Sequence, residues 1–219
     1  MKLKNKRSFT VVFFIIVTAE LICTSIESLS QFHYVTKPSI LFSLIIFFWI
    51  NCNHLDYKTK NFALLALMFS LLGDMLLMFE NFFVGGLLAF LLAHIMYILV
   101  FIRYRNENKN PLPFIFILLV YSSGLFFLLK DGLDKMLIPV IFYMVVIFSM
   151  ATLAFLRKER VTYNSYNLVF YGAIFFIISD SLLALNRFYE PLFLSNIWIM
   201  FTYSLAQYLI VMGILRQQE

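Results

Sequence analysis

The chain has 219 residues, of which 62% are hydrophobic, 19% aromatic and 13% charged, with a formal net charge of +5. Soluble domains are about 45–50% apolar and about 25% charged, so this composition excludes a soluble globular domain and also a disordered chain. Two cysteines are too few for a disulfide scaffold. The composition therefore indicates an all-α, polytopic membrane protein.

A helix that spans the bilayer needs about 20 mostly apolar residues. By this criterion the sequence predicts a bundle of eight transmembrane helices, at about residues 9–30, 38–51, 62–79, 82–102, 112–129, 136–156, 166–186 and 195–215. Short polar segments separate them, so we expect one eight-helix transmembrane domain over residues 1–219. Pro38 suits the first turn of the second helix, where a missing N–H costs no hydrogen bond.

The first apolar run follows a basic segment, as in a signal peptide. It continues for about 20 residues, however, and contains Glu20 and Glu27 without a small-residue cleavage site. We therefore expect a retained first helix.

The lysines and arginines predict the orientation, because they favour the cytoplasmic side of a membrane. Of the 17, only Lys37, Lys130, Lys135 and Arg187 fall on the side opposite the basic N-terminal segment. Both termini are therefore predicted to be cytoplasmic. This topology also accounts for the positive net charge without a nucleic-acid partner. The residues assigned to the cytoplasmic side are Lys2, Lys4, Lys6, Arg7, Lys58, Lys60, Arg103, Arg105, Lys109, Arg157, Lys158, Arg160 and Arg216.

Several ionisable side chains lie inside the predicted helices. Such a group costs about 2.5–3.5 kcal/mol at the bilayer centre, so it usually faces the bundle interior and serves a function. The set consists of Glu20, Glu27, Asp74, His94 and Asp180. Other polar residues extend it along the same helix faces: Thr24 and Gln31 on the first helix, Tyr97 one turn after His94, and Asn196, Tyr203 and Gln207 on the eighth.

The predicted depths of these polar residues in the membrane place them close to one another. Counted from the predicted helix ends, Asp74 and Asp180 both lie about 8–9 Å below the outer surface. Lys37, Asn186 and Arg187 are predicted at that surface. We therefore expect one cavity that opens outward.

The surroundings of the two aspartates are alike in sequence, SLLGDMLL at 70–77 and IISDSLL at 177–183. Each helix is followed by one with an alanine–polar pair, Ala93-His94 and Ala206-Gln207. This pattern predicts a parallel four-helix repeat with the site between its two halves.

Two carboxyl groups close together in a medium of low dielectric repel each other, which favours one protonated acid beside one carboxylate. That arrangement suits general acid catalysis on an acid-labile C–O bond. A metal site fits less well, because His33 and His54 are predicted in loops on opposite sides and leave His94 alone. We expect no metal and no cofactor.

Other roles stay open at this stage. The buried acids, with Glu20 and Glu27, also suit a relay in a small proton-coupled transporter or lipid flippase. A non-catalytic scaffold would leave them unexplained. Glu20, Glu27, His94, Tyr97 and Tyr203 are each also compatible with a hydrogen-bonded structural role.

The ordered set Lys37-Pro38, Gly73-Asp74, His94-x-x-Tyr97, Gly172-(x)6-Ser179-Asp180 and Tyr203-x-x-x-Gln207 resembles the YhhN family of membrane lysoplasmalogenases. The match extends from the second helix to the eighth, in the order of the family. The resemblance implies cleavage, without a metal, of the vinyl-ether bond of a lysoplasmalogen to a fatty aldehyde and a glycerophospho-head group. It also implies that Asp74 and Asp180, which match the two membrane aspartates of the family, are essential.

Acid chemistry from the two aspartates agrees with that reaction. A vinyl ether hydrolyses by protonation of its β-carbon to an oxocarbenium ion, the kind of transition state that two carboxyl groups stabilise in glycosidases. We expect Asp74 and Asp180 to share these catalytic roles. The expected substrate-binding residues are Lys37, His94, Tyr97, Asn186, Arg187, Tyr203 and Gln207, with Lys37 and Arg187 holding the phosphate. The expected partners are a lysophospholipid and the lipid bilayer, with no nucleic acid, and the expected location is a bacterial inner membrane.

Overall fold

The structure, a computed structural model, describes residues 5–217. Within them, eight helical segments are long and apolar enough to cross a membrane, which confirms the predicted number. The helices are α1 (Lys6–Ser25), α2 (His33–Asn51), α3 (Tyr57–Leu76), α4 (Phe83–Phe101), α5 (Leu112–Leu129), α6 (Leu137–Leu156), α7 (Tyr163–Phe188) and α8 (Ser195–Ile214). The predicted bounds of α5, α6 and α8 agree with the structure to within one residue. Lys2 and Lys4 of the predicted cytoplasmic set, and both chain ends, lie outside the described residues.

The junction between α1 and α2 differs from the prediction. Ile26 is extended and ends α1, a 3-10 helix spans Glu27–Phe32, and α2 begins at His33 rather than at Pro38. Glu27 is therefore exposed instead of continuing a polar stripe on α1, and His33 is helical rather than in a loop. Pro38 lies inside α2, where transmembrane helices tolerate proline because neighbouring groups satisfy the freed backbone carbonyl.

The ends of α3 and α7 also differ from the prediction. The Asp56 carboxylate accepts a hydrogen bond from the Thr59 N–H, and this N-cap starts α3 at Tyr57, well before residue 62. At its other end α3 stops at Leu76, two residues after Asp74, whereas α7 continues to Phe188, eight residues after Asp180. The predicted distances of the two aspartates from their helix ends therefore differ from those in the structure.

The most extensive helix contacts are those of α7 with α8 and of α3 with α4, the pairs that the predicted repeat makes equivalent. Small residues allow the close approach. A Cβ at Gly172 would lie 3.0 Å from the Ala206 carbonyl oxygen, and one at Gly73 would lie 2.7 Å from the Phe90 ring. Gly73 precedes Asp74, so this packing fixes the backbone that carries the first aspartate.

The helices differ in how far they are buried. In the most apolar stretch of α8, 67% of the residues are buried, whereas in that of α5 only 17% are. α8 contacts α1, α2 and α7 and forms the centre of the bundle, while α5 contacts α6 and α7 at its edge.

Candidate functional site

A cavity of about 450 Å³ is lined by both aspartates, Asp74 of α3 and Asp180 of α7. Lys37 of α2 and Tyr203 of α8 lie in the same wall. Its other polar lining comes from α1, the 3-10 helix, α2, α7 and α8: Thr24, Ser30, Gln31, His33, Ser179, Asn186 and Asn196. Residues that are far apart in the chain thus surround one space large enough for a polar head group.

Asp74 is 2% exposed and has a hydroxyl donor beside it. The Tyr203 hydroxyl donates a hydrogen bond of 2.8 Å to Asp74 Oδ2. Lys37, itself 9% exposed, lines the same cavity and brings a cation to the wall that holds Asp74. A cation near a buried acid favours its ionised form, so Asp74 is the better candidate for the carboxylate of the pair.

Asp180 has neutral surroundings. The Tyr143 hydroxyl of α6 donates a hydrogen bond of 2.6 Å to Asp180 Oδ2, and His94 Nε2 lies 3.8 Å from the same oxygen, beyond hydrogen-bond distance. No lysine or arginine pairs with Asp180 among the described residues. Without a cation, desolvation favours the protonated acid. Asp180 is therefore the better candidate for a proton donor.

His94 lies behind Asp180 and does not line the cavity. It is fully buried, with its ring edge-on to Tyr143 and Phe176 at centroid distances of 5.4 and 4.6 Å. Neither ring nitrogen has a hydrogen-bond partner within residues 5–217.

Tyr97 and Gln207 form a separate buried network. The Tyr97 hydroxyl donates to Gln207 Oε1 over 2.6 Å, and Gln207 Nε2 donates to Ser70 Oγ over 2.9 Å. None of the three lines the cavity. Ser70 is one helical turn before Asp74 and Gln207 one turn after Tyr203, so this network joins α3, α4 and α8 directly beneath the Asp74 contact.

Two predicted residues lie elsewhere. Arg187 is exposed, with its guanidinium 4.9 Å from the centre of the Phe83 ring, and it does not line the cavity. Asn186 does line the cavity, and its Oδ1 accepts a hydrogen bond from the Leu192 N–H in the loop before α8. Lys37 is therefore the basic residue that the structure brings to Asp74.

Sequence reasoning missed three side chains of the site. Tyr143 is one of three hydroxyl residues in the otherwise apolar α6, and its sequence context does not distinguish it. His33 and Thr36 became partners of Glu20 only because α2 begins before Pro38: His33 Nδ1 is 2.6 Å from Glu20 Oε1, and the Thr36 hydroxyl donates to Oε2 over 2.5 Å. In a helix that begins at His33, His33 and Thr36 are three residues apart and lie on the same face.

Among residues 5–217, no group of three or more His, Cys, Asp or Glu side chains is placed to hold a metal ion. The groups of the cavity that could take part in chemistry are two carboxyl groups with different surroundings, the hydroxyls of Tyr34 and Tyr203, the His33 imidazole and the Lys37 ammonium.

The family model described as the YhhN family matches residues 32–214. Human lysoplasmalogenase TMEM86B is 30% identical over 154 residues, 69% of this chain and 62% of that protein. Human lysoplasmalogenase TMEM86A is 31% identical over 161 residues, 70% of this chain and 65% of that protein. A lysoplasmalogenase of Mycobacterium tuberculosis is 30% identical over 164 residues, 71% of this chain and 61% of that protein.

The chain thus spans less than two thirds of the length of these curated relatives. No solved structure matches it significantly.

Proposed function

The chain belongs to the YhhN family, and we propose that it is a membrane hydrolase that cleaves the vinyl-ether bond of lysoplasmalogens. The observation that carries the proposal is that Asp74 and Asp180, from different helices, line one buried cavity together with Lys37. The relatives described above are named lysoplasmalogenases, which supports the same activity.

The reaction begins with proton transfer. Asp180, the acid without a cationic neighbour, donates its proton to the β-carbon of the vinyl ether, and the C=C electrons form the new C–H bond. The oxocarbenium ion that results is stabilised by the Asp74 carboxylate, as a second carboxylate stabilises the similar ion in glycosidases. Catalysis of this step requires one protonated and one ionised carboxyl group, which the two different surroundings supply.

Water completes the reaction. It adds to the carbon next to the ether oxygen and loses a proton to a carboxylate, which gives a hemiacetal. Asp74, which has taken the proton from water, gives it to the glycerol oxygen as the hemiacetal C–O bond to glycerol breaks. The hemiacetal hydroxyl gives its proton to Asp180, and a fatty aldehyde and a glycerophospho-head group leave. One water is consumed and both aspartates return to their starting protonation states.

Residues in and around the cavity bind the head group or position the two carboxyl groups. Lys37 binds the phosphate at the cavity wall. Tyr203 and Tyr143 hold the two carboxyl groups by hydrogen bonds. His94, with Tyr97 and Gln207, supports these groups from behind rather than touching the substrate, since none of them lines the cavity.

Purified protein in detergent tests the proposal. Choline and ethanolamine lysoplasmalogens should each be supplied, and fatty aldehyde release followed. We expect aldehyde from at least one of them, and none from the matched lysolipid with a saturated ether, whose C–O bond cannot be activated by protonation at carbon. Absence of aldehyde from both lysoplasmalogens would contradict the proposal and leave transport of a lipid as the function to test.

We also propose a bacterial inner membrane as the location, with both termini cytoplasmic. The short loops and the excess of lysine and arginine on one side support this orientation. A reporter fused after Glu219 should be active on the cytoplasmic side, and activity on the outer side would reverse the topology.

A further inference from the structure

A second, apolar opening begins at Asp180. This groove has a free space of about 50 Å³ and lies among α4, α5, α6 and α7, with Leu125, Met144, Ile177 and Ala184 in its walls. Phe83, Leu183 and Asp180 line both the groove and the polar cavity. Asp180 is thus the carboxyl group at the point where a polar space meets an apolar one.

The groove continues toward lipid. Phe148 of α6 lines the groove and also a wider cleft of about 350 Å³ between α5 and α6, whose other walls include Leu118 and Leu153. Residues 140 to 153 of α6 therefore follow one apolar track, about 20 Å long at about 1.5 Å per residue. α5, which forms its outer wall, is the least buried helix of the bundle.

We propose that this track, from Asp180 through the groove to the α5–α6 cleft, binds the hydrocarbon chain of the single-chain lipid substrate. The proposal rests on the proposed function, because it places the two ends of one substrate on either side of Asp180. When the head group lies in the cavity and the hydrocarbon chain lies in the track, the vinyl-ether bond between them lies beside the Asp180 carboxyl group.

The dimensions support a hydrocarbon chain as the occupant. The groove, with a free space of about 50 Å³, holds only the first part of the chain. The rest of the chain extends along the cleft, and the whole track, about 20 Å long, exceeds the about 15 Å that one lipid chain spans in half of a hydrocarbon core.

The track predicts which substitutions change chain-length preference. Ser149→Trp on α6 fills the distal cleft and leaves the groove open, so it should impair long-chain substrates and spare short ones. We expect the ratio of kcat/KM for a long-chain over a short-chain lysoplasmalogen to fall at least about fivefold, the equivalent of about 1 kcal/mol for overpacking a fitted site. Ala184→Phe fills the groove beside Asp180 and should impair both substrates.

Ser123→Trp on α5 is the matched control. Ser123 and Ser149 are both exposed, and each hydroxyl donates to the carbonyl oxygen four residues earlier, Leu119 or Val145. Ser123 lines neither the groove nor the cleft. Its substitution should leave the chain-length ratio of the wild type unchanged. Equal ratios in Ser149→Trp and wild type would overturn the proposal.

A binding measurement separates this proposal from the proposed function. A saturated-ether lysophosphocholine with a photoreactive diazirine at the end of its chain cannot be hydrolysed, so labelling does not depend on activity. We expect label in residues 115–119 and 145–153, lost in Ser149→Trp and kept in Ser123→Trp. Label spread evenly over the lipid-facing helices would refute the track even if the wild type releases aldehyde. If the track is labelled but no aldehyde forms, the proposed reaction fails and the lipid site stands.

Discussion

Tyr143 Oη lies 2.6 Å from Asp180 Oδ2 and donates a hydrogen bond to it across the α6–α7 contact. Asp74 has an equivalent donor in Tyr203 and shares the cavity wall with Lys37, whereas the His94 ring lies 3.8 Å from Asp180. The two carboxyl groups thus share one kind of hydrogen bond and differ in charge environment. This difference is the reason for proposing Asp180 as the proton donor and Asp74 as the carboxylate.

Tyr143→Phe removes the hydroxyl and keeps the ring. Because a neutral hydrogen bond contributes about 0.5–1.5 kcal/mol, we expect kcat for aldehyde release to fall about two- to tenfold. KM should stay near that of the wild type, since Tyr143 positions Asp180 rather than binding the head group. Steady-state kinetics on one lysoplasmalogen measures both.

Tyr121→Phe is the control for Tyr143→Phe. The Tyr121 hydroxyl also donates to α7, to Ser181 Oγ over 2.8 Å, but not to a carboxyl group. Its removal should leave kcat unchanged. An equal loss in both variants would assign Tyr143 a merely structural role.

Lys37→Met tests whether the buried ammonium binds phosphate. We expect kcat/KM for a phosphate-containing lysoplasmalogen to fall about tenfold or more, because charge-assisted hydrogen bonds contribute about 1.5–3 kcal/mol. The matched substrate is an alkenylglycerol that lacks the phosphate, for which the loss should be much smaller. The same loss on both substrates would show that Lys37 acts on Asp74 and not on the head group.

Gly172→Ala tests the α7–α8 contact that carries Asp180 on one side and Tyr203 on the other. The added methyl group would lie 3.0 Å from a backbone oxygen of Ala206, which cannot move away without shifting α8. We expect a loss of about 1–3 kcal/mol in the free energy of unfolding, seen as a lower Tm in detergent. Gly124→Ala on α5 faces open space and should be neutral or slightly stabilising. A Tm unchanged by Gly172→Ala would contradict the close packing.

Much of the fold could be predicted from the sequence because the length of an apolar run reports directly on a membrane-spanning helix. The eight helices and the bounds of α5, α6 and α8 follow from this rule. The break between α1 and α2 could not, because Ile26 is an apolar residue that ends a helix without proline or glycine. Because α2 was predicted to begin only at Pro38, the contact of His33 with Glu20 could not be predicted either.

Only some residues of the candidate site could be predicted from the sequence. Asp74 and Asp180 stood out because an acid in an apolar helix is costly. The Tyr143 contact depends on how α6 is rotated, and a helix that is apolar on all sides carries no sequence signal for its rotation. Arg187 was predicted at the cavity from its position in the chain alone, whereas its side chain packs on Phe83.

Asp56 links α3 to the segment after α4 on the side predicted to be cytoplasmic. Burial alone raises the pKa of its carboxyl, but hydrogen bonds from Thr59 and Tyr104 and the charge of Arg103 outweigh it and lower the pKa from 3.8 to about 2. A carboxyl with a lowered pKa stabilises the fold fully above its unfolded pKa and loses that contribution as the pH falls through the folded one.

Asp56→Asn should therefore lower Tm at pH values above about 4, and the difference from wild type should shrink as the pH falls toward about 2. Asparagine keeps one acceptor oxygen for the N-cap of α3, but it removes the negative charge and one of the two oxygens that accept from Thr59, Arg103 and Tyr104. Thermal unfolding in detergent over this pH range measures the effect. A difference that grows as the pH falls would contradict the assigned role of Asp56.

The central claim is that Asp74 and Asp180 together carry out acid catalysis on a vinyl ether. The most direct test is the rate of fatty aldehyde release from lysoplasmalogen by Asp74→Asn and Asp180→Asn, each checked for an unchanged Tm. Since a positioned acid or base contributes about 10²–10⁴-fold, each variant should lose at least about 99% of the wild-type rate. Full activity in either variant would remove that aspartate from the mechanism and contradict the account.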